Sequence, residues 1–196
     1  MNRFRAFVSV FVTTFIGVFL GAGFAAPAFA ASPDEQIAQA LTPLPEDLRA
    51  GATVLTYDPA TGDRHVLRQG TNGIECQPES PQDGFTRCYS KLSAGRYDFQ
   101  AKLKAQGKSE KEIGELTTAA YKDGTLKVVP AGTMSYRLSR KDDVIKRLWV
   151  VSVPYATHDQ LGVSTVSQRD GALKGHGLPW MMLEGTAGAH IMVPIN

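Results

Sequence analysis

The chain has 196 residues, 43% of them hydrophobic, with 21 Lys and Arg set against 19 Asp and Glu. That length suits one domain with its own core rather than two. The near balance of charge, without a basic stripe, argues against nucleic acid as a partner, because holding a phosphate backbone takes concentrated positive charge.

Met1 to Arg5 carries two arginines, residues 6–26 carry no charge, and Ala28-Phe29-Ala30 precedes Ala31-Ser32-Pro33. A positive start, an apolar run and small residues before a cut make a secretory signal peptide, with cleavage expected after Ala30. A retained anchor is the alternative, since the uncharged run approaches the roughly 20 residues needed to cross a bilayer. No Cys lies near the cut, so the bacterial lipoprotein route is closed, and no later segment is apolar for long enough to span a membrane. Arg3 and Arg5 leave with the signal, so 19 basic residues then balance 19 acidic ones.

The expected division is a signal at 1–30, a tether at 31–50 and one domain at 51–196. Pro33, Pro43 and Pro45 punctuate the tether, with a brief helix around Glu35 to Leu41. Residues 52–57 and 64–68 are β-branched and apolar runs around Asp58-Pro59-Ala60-Thr61-Gly62-Asp63, which predicts a hairpin. Gly70 to Tyr89 is dense in turn residues and reads as a loop. It holds Cys76 and Cys88, which an oxidising compartment favours pairing as a disulfide. Their spacing is not the Cys-x-x-Cys of redox and zinc sites.

Residues 94–122 predict two helices with a break near Gly107. Ser109-Glu110-Lys111-Glu112 is a capping box that opens the second helix, and Ile113, Leu116 and Ala120 form its expected buried stripe. Strand patterns return at 133–138, 148–153 and 189–193. Strands at both ends with helices between them give an α+β class, with a mainly antiparallel sheet, an N-terminal hairpin, a helical insertion in the middle and a C-terminal strand.

Three blocks carry a resemblance: Gly51-Ala52-Thr53-Val54; Leu67-Arg68-Gln69-Gly70-Thr71-Asn72-Gly73 with Cys76-Gln77-Pro78; and Gly185 to Pro194. Together they resemble recurring blocks of uncharacterised secreted bacterial proteins, over about a third of the mature chain. The resemblance implies a secreted globular domain and transfers no catalytic residue.

Candidate chemistry is sparse. His65, His158, His176 and His190 show no helix-borne His-x-x-x-His pair, so no metal site or cofactor is expected. Gly162-Val163-Ser164-Thr165-Val166 lacks the last glycine of a nucleophile elbow, although Ser164, Asp159 and His190 have the residue types of a triad. Asn72-Gly73 fits a tight turn better than a phosphate loop. His190 stands in an apolar strand after Gly185-Thr186-Ala187-Gly188, where its ring can serve as a polar anchor beside Thr186 or as a base. Arg137 alternates with Tyr136 and, on the face of His190, would hold a carboxylate through a forked hydrogen bond. Trp180, within Leu178-Pro179-Trp180-Met181-Met182-Leu183, belongs either to the core or to an apolar ligand groove.

The leading expectation is a periplasmic or secreted, non-enzymatic module that binds a small molecule or an envelope protein, using His190, Thr186, Arg137 and Trp180. The alternative is a hydrolase or metal-dependent enzyme built on His190 with Asp159 or His158. An envelope protein without a ligand is the third class.

Overall fold

Directly opposed residues in neighbouring strands share a sheet face, and successive residues alternate between faces. That rule organises the computed structural model, which describes residues 32–81, 83–141, 144–174 and 176–195. The expected signal segment lies outside the described residues. Eight strands, β1 (Thr53–Tyr57), β2 (Arg64–Arg68), β3 (Ile74–Gln77), β4 (Phe85–Ser90), β5 (Met134–Lys141), β6 (Val144–Ser152), β7 (Trp180–Met182) and β8 (His190–Ile195), form one sheet. Their spatial order is β2-β1-β3-β4-β5-β6-β8-β7. Every pairing is antiparallel except β1 with β3. The class is α+β, as the pattern of elements predicts.

The interval 70–89 departs from the expected loop, since β3 and β4 are central strands. Cys76 lies opposite Cys88 and the two are joined as a disulfide. These strands are only four and six residues long, bounded by the turn residues Asn72-Gly73 and Pro78 to Gly84, so the composition of the interval is dominated by its turns. The Asn72 side chain makes the turn expected of it: Oδ1 accepts from the Ile74 amide at 3.1 Å while Nδ2 donates to the Leu48 carbonyl at 2.8 Å. Gly70 permits the crossing that follows, because a Cβ there would sit 2.3 Å from the Gly51 carbonyl oxygen.

One face, on the row Cys76, Cys88, Tyr136 and Trp149, packs under two short helices, α1 (Pro33–Ala40) and α2 (Glu46–Arg49). The first core forms there from Ala40, Leu41, Leu44, Ala52, Val54 and the disulfide, with Ile37, Leu48 and Tyr136 against it. Residues 33–49, expected to be a tether, are therefore built into the fold, with Ala40 and Leu44 wholly buried.

The other face carries the rows Gln77, Arg87, Arg137, Leu148 and Glu75, Tyr89, Ser135, Val150. A helical hairpin of α3 (Ala94–Ala105) and α4 (Glu110–Lys122) is the predicted insertion, and Gly107 ends α3 with a positive φ of 76°. Ser109 and Glu112 close the capping box. The buried stripe of α4 is Ile113, Thr117 and Ala120, while Leu116 is exposed. Thr117 tolerates burial because its hydroxyl donates to the Ile113 carbonyl at 2.6 Å. At the far end of the sheet a second core joins Phe85, Leu148, Val150, Trp180 and Met192. Two short helices, α5 (His158–Leu161) and α6 (Arg169–Leu173), lie in the connection from β6 to β7.

Candidate functional site

The row Gln77, Arg87, Arg137 lays two arginines side by side on the face that receives α3. Tyr97 of α3 stacks on Tyr89, with ring centroids 3.7 Å apart and planes 17° from parallel. That stack docks the helix and brings the Arg96 guanidinium to 4.6 Å from the centre of the Tyr97 ring. Gln77 donates to the Tyr89 hydroxyl at 2.6 Å, and the Tyr57 hydroxyl donates to Asp98 at 2.7 Å. The turn between β1 and β2 closes on α3 through Gly62, whose φ is 74° and where a Cβ would meet the backbone of Lys102 at 2.7 Å.

These elements border an open pocket of about 840 Å³, within the size range of small-molecule sites. Arg87, Arg96, Arg137 and Tyr97 line it from sheet and helix, Tyr57 from the end of β1, Pro59, Pro78 and Pro81 from the loops, and Gln100 and Lys104 from α3. Its charges are unevenly placed. The three arginines are partly buried, whereas the four lining acids, Asp58, Glu79, Asp83 and Glu110, are exposed residues. Arg87 pairs with Asp83 and Lys104 with Glu110, while Asp58 caps its own turn by accepting from the Ala60 and Thr61 amides. The Nε atoms of Arg96 and Arg137 are shielded from solvent without a hydrogen-bond partner among the described residues.

Titration behaviour follows from this crowding. Burial opposes ionisation of the Tyr97 phenol, yet Arg96, Arg137 and Arg87 together hold it below the usual tyrosine range. Burial pushes Arg137 down to about 10, against the pull of Tyr97, and the neighbouring Arg87 and Arg96 push the same way. Clustered like charges with incomplete compensation are costly in a fold, and in a cleft they mark a candidate binding site.

Behind the arginines lies a second, much smaller chamber of about 20 Å³, lined by Arg96, Arg137, His190, Tyr121 and several serines. The structure therefore brings together Arg137 and His190, two of the residues singled out from the sequence. His190 bonds through Nδ1 to the Gly188 carbonyl at 2.8 Å. Burial lowers it to about 4, that hydrogen bond opposes the shift, and Arg137 and Arg96 reinforce it.

The other candidates lie apart. Thr186 serves its turn, donating to the Leu183 carbonyl at 2.7 Å and accepting from the Gly188 amide at 3.2 Å. Trp180 is buried in the second core and lines neither cavity. His158 sits on an exposed corner, 2.6 Å from Glu184 and 3.2 Å from Asp159, which together hold it above the usual histidine range. Ser164 caps the Val166 amide. His65 and His176 are exposed. Among the described residues no three His, Cys, Asp or Glu side chains gather as a metal site.

Arg87, Arg96 and Tyr97 were not expected. One signal pointed toward Arg87: pairing Cys76 with Cys88 fixes a register in which Gln77 and Arg87 are opposed on the reverse face. Nothing local marks Arg96 and Tyr97. No family model, no curated protein and no solved structure matches this chain.

Proposed function

We propose that this chain is an exported, non-enzymatic domain that binds a small organic anion, a carboxylate or phosphate ester, in the cavity between α3 and strands β3 to β5. The observation that carries the reading is the convergence of Arg87, Arg96 and Arg137 around Tyr97, with Asp83 as the paired carboxylate. Guanidinium groups recognise carboxylates and phosphates through paired hydrogen bonds. An anion entering this site would supply the charge that the arginines lack.

Export is supported by the layout of residues 1–30 and by the Cys76–Cys88 disulfide. No helix among the described residues is long and apolar enough to cross a membrane. The block resemblance to secreted bacterial proteins fits the same reading and adds no activity to it. The enzymatic alternative has less support. A histidine base in a hydrolytic triad is oriented by a carboxylate, whereas His190 is held by a backbone carbonyl and faces two arginines.

The test is calorimetric titration of the oxidised domain with mono-, di- and tricarboxylates and with phosphate monoesters. Arg137→Met is expected to weaken binding of the best of these by roughly 10–100-fold, the worth of a charge-assisted hydrogen bond. Equal binding by wild type and a folded Arg96→Met, Arg137→Met double variant would remove the proposal, as would failure of the whole series to bind.

A further inference from the structure

Arg96 and Arg137 stand as a partition. One side faces the large cavity and the other walls the chamber of about 20 Å³ next to β8. On this measure a single water needs about 10–15 Å³, so the chamber takes one small particle and no organic acid. Its lining is one-sided in charge: two guanidiniums, the hydroxyl-bearing Ser93, Tyr121, Ser135 and Ser152, and His190, with no Asp or Glu. The shielded, unpartnered Nε atoms of both arginines belong to this partition.

We infer that the chamber is a binding site for one monatomic anion, chloride under extracellular conditions, held between Arg96, Arg137 and the hydroxyls of Tyr121, Ser135 and Ser152. A halide is close to water in size, accepts from every donor in such a wall and needs no fixed geometry. The inference is independent of the organic anion proposed for the larger cavity, although the two sites share the arginine wall.

His190 gives the site a chemical signature. Its Nδ1 bonds the Gly188 carbonyl, so in the neutral ring Nε2 is an acceptor, which an anion does not welcome. The charged and titratable groups across from it are Arg96 of α3, Tyr121 of α4 and Arg137 of β5, while its strand partners Ser152 of β6 and Met182 of β7 carry no charge. A halide that offsets the two arginines makes protonation of Nε2 favourable, and the added N–H then donates to the halide. Anion and proton are taken up together.

Crystals soaked in sodium bromide at pH 5 and at pH 8 test this directly by anomalous scattering. The expected result is a bromine peak between Arg96 and Arg137 on the His190 side, stronger at pH 5, with affinity rising by up to about tenfold per pH unit through the transition. Ser152→Val, which leaves the larger cavity untouched, is expected to weaken bromide about tenfold. Ordered water without an anomalous peak, or a peak confined to the larger cavity, overturns the inference. A peak indifferent to pH overturns the role of His190. Carboxylate binding measured on the same preparations separates the two sites: retained carboxylate binding with no bromide in the chamber sinks this inference and leaves the proposed function standing.

Discussion

At the scale of single residues, burial works against charge on His190 and Arg137. His190 is held neutral, and its value of about 4 lies below the ordinary histidine value of 6.5. A histidine depressed by folding binds its proton more readily in the unfolded chain. Its contribution to stability is therefore complete above pH 6.5 and is lost as pH falls from 6.5 through 4. In halide-free buffer this amounts to about 2–3 kcal/mol. Denaturant titrations at pH 7 and pH 4 are expected to differ by that amount more in the wild type than in His190→Gln. The Tyr89–Tyr97 stack is a second residue-scale device. Tyr97→Ala should cost about 3 kcal/mol, the low end for removal of a large ring, because Tyr97 is half-buried, and should weaken anion binding because the stack sets the position of Arg96.

Among elements, the legibility of the sequence tracks how far each depends on its own residues. The second helix of the insertion announces itself, because the capping box of Ser109 and Glu112 is written within four residues. Its buried face is harder to read. A threonine satisfied by the Ile113 carbonyl replaces the leucine next to it, and hydrophobicity alone selects Leu116. Strands β3 and β4 escape notice because their flanking turns dominate the composition and because both of their faces are occupied, so simple alternation disappears. The arginine site assembles from β4, α3 and β5, and no spacing along the chain encodes that meeting. Where the chain leaves β2 for β3, Gly70 lies directly against the backbone that enters β1. Gly70→Ala, with its Cβ 2.3 Å from backbone atoms, must displace that backbone. A loss of stability well beyond the few tenths of a kcal/mol of an ordinary surface change is expected, and a lowered Tm in thermal unfolding followed by circular dichroism will show it.

For the whole molecule, two cores on opposite faces of one sheet share the work. The N-terminal helices cover the first of them, so residues 33–49 are part of the stability of the domain. Leu44→Ala removes a fully buried side chain from that core and should cost about 2–5 kcal/mol in chemical denaturation. A chain started at Gly51, the boundary that composition suggests, leaves the same apolar face bare and should be measurably more susceptible to protease than one started at Ala31. The fold class was legible from the order of strand and helix patterns. The location of the site was not, since it depends on which face of the sheet each arginine occupies, and that follows from strand order and register.

The disulfide has a bearing beyond stability. Cys76 and Cys88 bolt together the strand pair whose reverse face carries Gln77 and Arg87, so the covalent state of one face bears on the rigidity of the arginine row on the other. A chain that has not yet been oxidised holds its arginine row only through hydrogen bonding and packing. Under the proposed function, anion capture would follow export and become competent in the compartment where the thiols pair. Titration of the reduced, alkylated chain should give a weaker carboxylate affinity than the oxidised one, and an unchanged affinity would uncouple the two faces.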